Sequence, residues 1–296
     1  MAPNNQDYVV EDEMVAFFSK SSVRRETCDL LAKELVGGDQ VAPVAVQGAC
    51  SYTVYAGHDL DHVVQFRLKS LGIKLETAAL ARRIFGSLVP EVSFRQQLGQ
   101  DSTTVEAREP LLVYVMNRMR GITRLDFVLS ISISAVNHAN PVPNTRFFAQ
   151  SWKSPQEVDQ ARRLSMLAMF ERELHLLLAA LPGFDEIIRA TLASLPNVLS
   201  LPMVLVHKDF GDSNIMVQRE SSRLVGVIDW AEAEVAPFGT NLHSLQSLIS
   251  KLHLKHGWIH YEDYGDLMHS FWENFDGKVG GLSHETTRAI KAARVL

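Results

Sequence analysis

The sequence predicts an α+β chain of two lobes: a small antiparallel sheet with one inserted helix, then a larger, mainly helical part. Three observations predict it. With 296 residues, the chain is long enough to build two compact units. Between residues 43 and 116, short β-branched and aromatic runs alternate with turns and are interrupted by a single stretch of helical period. Beyond Met116 the periodicity becomes helical, except for apolar runs flanking VLVHKDFGDSNIMV at 204–217. The expected lobes are residues 1–118 and 119–296.

Each element follows from its residues. Residues 11–36 read as one or two helices, ended by GGDQ. Strands are expected at 43–47, 51–56 and 62–67, separated by turns such as AGHDLD. In LETAALARRIFGSLVP the residues Ala78, Ala81, Phe85 and Leu88 fall at helical spacing, and Pro90 marks the stop. EVSF at 91–94 and the run at 110–116 supply two more strands, and NRMRG is a connector. A helical stretch at 123–137 precedes the Pro/Asn-rich loop HANPVPNTRF. Ser154, Pro155 and Glu157 form a capped helix start: a serine N-cap, a proline at the first position and a glutamate reaching back. That helix is expected to reach about Leu181, with Leu167, Phe170, Leu174, Leu177 and Leu181 near one face. The quoted loop, a second strand pair and a helical C-terminus complete the chain, with no internal repeat.

Composition narrows the function. A net charge of −5 and a pI near 6.1 argue against general affinity for nucleic acid or anionic membrane, which needs a clustered cationic surface. Cys28 and Cys50 are the only cysteines, so neither a disulfide framework nor a cysteine zinc site is expected. The polar, acidic start lacks a leader pattern, and FVLSISISAV at 127–136 is too short to span a bilayer. A cytoplasmic monomer or homodimer acting on a small molecule is expected.

The quoted loop is the chemical signal. MVLV enters it and IMV leaves it as strands, RESS turns the chain, and RLVGVIDW returns. Asp209, Asn214 and Asp229 are then expected to converge. Clustered carboxylates repel and need compensation, and an oxygen-only set of carboxylate and amide suits Mg²⁺ completed by substrate phosphates.

His207-x-Asp209, Asn214 five residues after the Asp, and Ile228-Asp229-Trp230 after a hairpin resemble the aminoglycoside phosphotransferase/choline kinase family of small-molecule kinases, over roughly residues 40–275. The tracts VVQFRLKSLG and GVIDWAEAEVAPFG look most like the branch common in filamentous fungi. The resemblance implies a bilobal protein-kinase-like fold, ATP and Mg²⁺, and transfer of phosphate to an alcohol. Phosphoryl transfer is mostly positioning and charge stabilisation, so few groups are needed. By resemblance, Asp209 orients the acceptor hydroxyl and takes its proton, Asn214 and Asp229 hold the metal, and His207 braces the loop. Arg67 meets the nucleotide phosphates and pairs with Glu76, with Lys69 a second candidate. Gly48 and Ser51 lie where the phosphate-covering loop belongs, and the adenine edge meets the backbone near Asn117 and Met119.

Three positions depart from the family pattern: Arg67 stands in place of the usual Lys, Lys208 where Gly is frequent, and Asn241 where an Asp commonly braces the catalytic loop. Arg keeps the charge but is not a neutral swap for Lys. One alternative is therefore a kinase-like nucleotide-binding protein of weak or no turnover. A metal-dependent hydrolase using His207, Asp209 and Asp229 is another, without a third imidazole in sequence to support it. GKVGG at 277–281 follows no strand and lacks Ser or Thr after its Lys, so it reads as a turn rather than a phosphate loop. Asp212, Glu232 and Glu234 make the neighbourhood acidic, which suits an amine-bearing acceptor.

Overall fold

The computed structural model describes residues 8–101, 108–130, 145–253 and 255–296, and every count below is of these residues. The chain divides into two compact units: one runs to Ala79 and adds Pro90–Met119, the other holds Leu80–Val89 and everything from Arg120.

In the first unit, helices α1 (Val10–Ser19) and α2 (Arg25–Val36) precede strands β1 (Val41–Pro43), β2 (Ser51–Ala56) and β3 (His62–Leu68). Helix α3 (Leu75–Phe85) starts in this unit and belongs to the other from Leu80, and β4 (Val92–Leu98) and β5 (Leu111–Asn117) return to the first. The five strands form one antiparallel sheet in the order β1-β2-β3-β5-β4. Strand periodicity sorts its faces. Tyr52, Val54 and Ala56 on β2, Val64 and Phe66 on β3, and Leu111, Val113 and Val115 on β5 share a buried cluster with Met14 and Phe17 of α1 and Cys28 and Ala32 of α2. The alternate positions Ser51, Thr53, Gln65 and Arg67 make a polar stripe: Gln65 donates to both the Ser51 and Thr53 hydroxyls at 3.2 Å, and Arg67 Nη1 donates to Gln65 Oε1 at 3.4 Å.

The second unit opens with β6 (Ile122–Thr123) and α4 (Arg124–Ser130), so only the start of the expected 123–137 helix is described; residues 131–137 and the loop up to 144 lie outside the described residues. Helix α5 (Thr145–Trp152) buries Phe147, Phe148 and Ala149. Helix α6 (Gln160–Ala180) starts later than expected: Asp159, not Ser154, is the N-cap, its carboxylate accepting from the Arg162 N–H at 2.7 Å. The stretch after Ser154 is held in another way, since the Gln156 N–H donates to the Met203 carbonyl at 2.6 Å. The apolar face of α6 is also rotated from expectation. Leu167, Phe170, Leu174 and Leu178 pack with Ile188, Leu192 and Leu195 of α7 (Asp185–Ser200), while Leu177 and Leu181 are exposed.

The two apolar runs around the quoted loop belong to different sheets. Strand β7 (Met203–Val206) pairs with β10 (Glu234–Pro237), whereas β8 (Ile215–Val217) lies between β6 and β9 (Leu224–Val227). Helix α8 (Leu245–Ile249), a hairpin of β11 (Ser250–His253) and β12 (Gly257–His260), and helices α9 (Tyr264–Val279) and α10 (His284–Ala293) complete the unit. Among the described residues, no helix is long and apolar enough to cross a membrane.

An aromatic cluster forms the floor beneath the loop. Phe147 stacks on Phe85 with ring centres 4.3 Å apart and on Phe210 at 4.9 Å, and Trp230 lies 5.1 Å from Phe85. Aromatic side chains bury large areas and dominate core energetics. Phe147→Ala is expected to cost about 3–5 kcal/mol of unfolding free energy, read as a lower urea midpoint at unchanged slope.

Candidate active site

The loop from His207 to Asn214 turns tightly between two sheets. The Gly211 N–H donates to the Asp209 carbonyl at 2.9 Å, and the Asn214 and Ile215 N–H groups donate to the Gly211 carbonyl at 3.0 and 3.2 Å. Burial alternates along it. His207, Phe210 and Asn214 are buried, while Lys208 and Asp209 are exposed. Phe210 thus anchors the backbone in the aromatic floor and leaves the Asp209 carboxylate at the surface.

Asn214 ties the loop together. Its Nδ2 donates to both the Asp209 carbonyl and Asp209 Oδ2, each at 2.8 Å. That orientation commits the amide nitrogen to Asp209 and leaves the amide oxygen as an acceptor. The backbone carbonyl of Asn214 accepts from the Ile228 N–H at 2.9 Å, the Ile228 carbonyl accepts from His207 Nε2 at 2.8 Å, and Trp230 Nε1 donates to the Val227 carbonyl at 2.9 Å. Three bonds therefore fix the short segment that carries Asp229. Asp229 itself has φ of +60°, a left-handed conformation uncommon for a non-glycine residue and better tolerated by Asp than by most. Such strain persists only where the surroundings over-determine it, and here they do. The Ile228–Asn214 backbone bond thus sets the segment that carries Asp229 beside the loop that carries Asp209 and Asn214.

The His207 imidazole has one settled role. Since a carbonyl only accepts, Nε2 carries the hydrogen, and Nδ1 is buried without a partner among the described residues. Burial pushes the ring's pKa below its ordinary value, partly opposed by the Ile228 bond and by the Asp229 and Asp209 carboxylates. The folded state therefore favours neutral His207. Its stability contribution is complete above the unfolded value of about 6.5 and is lost progressively as pH falls below it. Expected on acidification from pH 7.5 to 5 is a larger fall in melting temperature for the parent than for His207→Gln, followed by differential scanning fluorimetry.

The two other charged groups of the loop are paired. Lys208 Nζ reaches Glu234 on β10 at 3.1 Å, and Arg124 Nη1 reaches Asp212 at 2.6 Å. The pairing of Asp212 with Arg124 was not visible in the sequence, because the two are 88 residues apart. Asn241 is buried, and among the described residues its side chain makes no hydrogen bond to the loop.

The remaining expected residues lie in the first unit. Arg67 is buried on β3, with Nε donating to the Leu71 carbonyl at 2.7 Å. Ser51 is its register partner on β2, with its N–H donating to the Gly48 carbonyl at 3.4 Å and its hydroxyl on the polar stripe. Glu76 is exposed in the first turn of α3 and enters no ion pair among the described residues. Lys69 pairs with Asp101 at 2.8 Å. Asn117 ends β5, its side-chain oxygen accepting from the Glu91 N–H at 2.7 Å, with Met119 Sδ 3.7 Å from its amide nitrogen.

A model of the phosphotransferase enzyme family (APH) matches residues 81–251, more than half of the chain and the whole of this loop system. The chain belongs to this family. Solved structures extend the likeness over nearly the full length. Aminoglycoside phosphotransferase APH(3'')-Id from Streptomyces rimosus is 15% identical, with 92% of this chain and 99% of that one covered at a TM-score of 0.50. Wild-type aminoglycoside 2'-phosphotransferase-IIIa in its GDP complex is 13% identical, covering 91% and 86% at 0.51. A GDP and kanamycin complex of an APH(2") enzyme is 13% identical, covering 91% and 87% at 0.50. No curated protein sequence matches. The family member thus has the protein-kinase-like α+β fold. A buried frame holds two exposed carboxylates and an oriented amide, an arrangement suited to positioning a hydroxyl and a cation.

The donor set fits a hard cation. A carboxylate from Asp229 and the amide oxygen of Asn214 are oxygen ligands of the kind Mg²⁺ takes, with waters and phosphate oxygens filling its other positions. Among the described residues no group of three His, Cys, Asp or Glu could hold a metal. His207 Nε2 is committed to the Ile228 carbonyl and no third such ligand joins Asp209 and Asp229 among the described residues, which disfavours the metal-hydrolase alternative.

Proposed function

We propose that the chain transfers the γ-phosphate of ATP to a hydroxyl of a small molecule, with Mg²⁺ held by Asn214 and Asp229. The observation that carries this reading is the pair of hydrogen bonds from the Asn214 amide to Asp209 beside the strained segment bearing Asp229. Asp209 aligns the acceptor hydroxyl and receives its proton as the oxygen attacks. The Asn214 amide fixes the Asp209 rotamer, and His207 and Trp230 hold the Asp229 segment rigid. When bound, the metal neutralises charge on the phosphate oxygens. Arg67 supplies a fixed positive charge for phosphate, and Gly48, Ser51, Glu76, Asn117 and Met119 belong to the nucleotide side of the same reading.

The acceptor need not be an amine. Of the acids that made the loop's surroundings look anionic, Asp212 is neutralised by Arg124 and Glu234 by Lys208, which leaves Glu232 exposed and without an ion pair among the described residues. An acceptor polycation would have to displace these pairs. A neutral or singly charged hydroxyl compound is the better fit. The test is a panel of neutral and amine-bearing alcohols with ATP or GTP and Mg²⁺, read by mass shift. A transferred phosphate on a neutral alcohol, absent with Asp209→Asn, is expected. If no alcohol gains phosphate and no nucleotide raises the melting temperature, the reading fails. Efficient transfer confined to polyamines would overturn the acceptor assignment alone.

A further inference from the structure

We infer that Arg124 is a positioning residue for the Asp209 loop, supplying from α4 the charged brace that Asn241 does not supply. This rests on the phosphotransferase reading for its catalytic consequence.

Arg124 is the first residue of α4, and its side chain is only 10% exposed. Its guanidinium divides between two parts of the unit. Nη1 donates to Asp212 Oδ1 at 2.6 Å and to the Ser247 carbonyl at 3.2 Å, and Nη2 donates to the Leu248 carbonyl at 2.7 Å. Ser247 and Leu248 lie in the last turn of α8, where carbonyls have no helical partner and a cation is favoured. The adjacent Leu125 N–H donates to the Asp212 carbonyl at 3.0 Å. Asp212 is thus held by side chain and by backbone, both from the start of α4. It lies three residues after Asp209 within the same tight turn, so what fixes Asp212 restricts Asp209.

The charge in this place has a consequence. The Asp that the family resemblance expects at 241 is here an uncharged Asn, and its side chain makes no hydrogen bond to the loop among the described residues. Arg124 acts with the opposite charge on a different residue. A planar fork that serves three acceptors at once is not replaceable by a lysine, which presents one point charge.

The experiment compares the parent with Arg124→Lys, which keeps the charge, and Asp212→Ala, which keeps Arg124. Three quantities are read: melting temperature, kcat with KM for the nucleotide, and amide exchange of residues 208–215 by mass spectrometry. Expected are faster exchange in the loop and a kcat about 10- to 100-fold lower, the scale of a small misplacement of a catalytic group. The nucleotide KM should stay within about twofold, since uniform binding is untouched. Restoring an acidic acceptor with Asp212→Glu should recover part of kcat. Unchanged exchange in both variants would overturn the brace. Faster exchange with unchanged kcat, or kcat and nucleotide KM worsening together with the melting temperature, would reduce Arg124 to a structural residue. A parent that transfers no phosphate and hydrolyses no nucleotide would sink the phosphotransferase reading, and the catalytic role with it, while exchange still reports on the brace.

Discussion

Asp209→Asn lowers kcat by about 10²–10⁴-fold, the range over which a positioned general base acts, with the fold and nucleotide affinity retained. The substitution is nearly isosteric, and the Asn214 amide can still donate to the remaining side-chain oxygen, so the 2.8 Å contact survives in weakened form. What is lost is the charge that aligns a hydroxyl and the capacity to take its proton. Steady-state transfer with the parent and the variant, alongside nucleotide titration by calorimetry, separates the two properties. Equal kcat for both would remove Asp209 from the mechanism.

Asp229→Asn is the second large effect, with an expected loss of about 10²–10³-fold in kcat, comparable to removing one preorganised electrostatic group. Asn is the right probe because position 229 has φ of +60°. Asn tolerates the left-handed region, whereas Ala would add backbone strain and confuse instability with lost function. The charge is thereby deleted on an unchanged backbone, still held by the Ile228 bonds to His207 and Asn214. The diagnostic is magnesium dependence: the variant should need a higher Mg²⁺ concentration for half-maximal rate, at an unaltered melting temperature. A variant with lower kcat but the parent's magnesium dependence would dissociate Asp229 from the metal.

How much could be read in advance depends on the range of the interactions concerned. Most of the first sheet was legible because a two-residue period and intervening turns are local signals: β2 to β5 fall close to the expected runs, whereas β1 ends at Pro43, where the expected 43–47 strand begins. The cap of α6 was misassigned because Ser154-Pro155-Gln156-Glu157 has the composition of a helix start, while the Gln156 N–H is taken by Met203, 47 residues on. Helix α7 went unseen: Pro196 lies inside it, and a proline usually marks an end. The hairpin of β11 and β12 was read as helix, since four short residues per strand give too few repeats to reveal a period.

The same division runs through the site. Asp209 and Asn214 are five residues apart within one turn, so their contact is a local event that spacing alone announces. Asp229 follows from a short hairpin, again a near-neighbour pairing. The charge balance was another matter. Lys208 with Glu234, and Arg124 with Asp212, meet because β7 pairs with β10 and because β6 joins β8, and these pairings depend on which apolar faces must be buried together. Local sequence set the turn and its acids. The long-range packing of strands and helices decided which of those acids are neutralised.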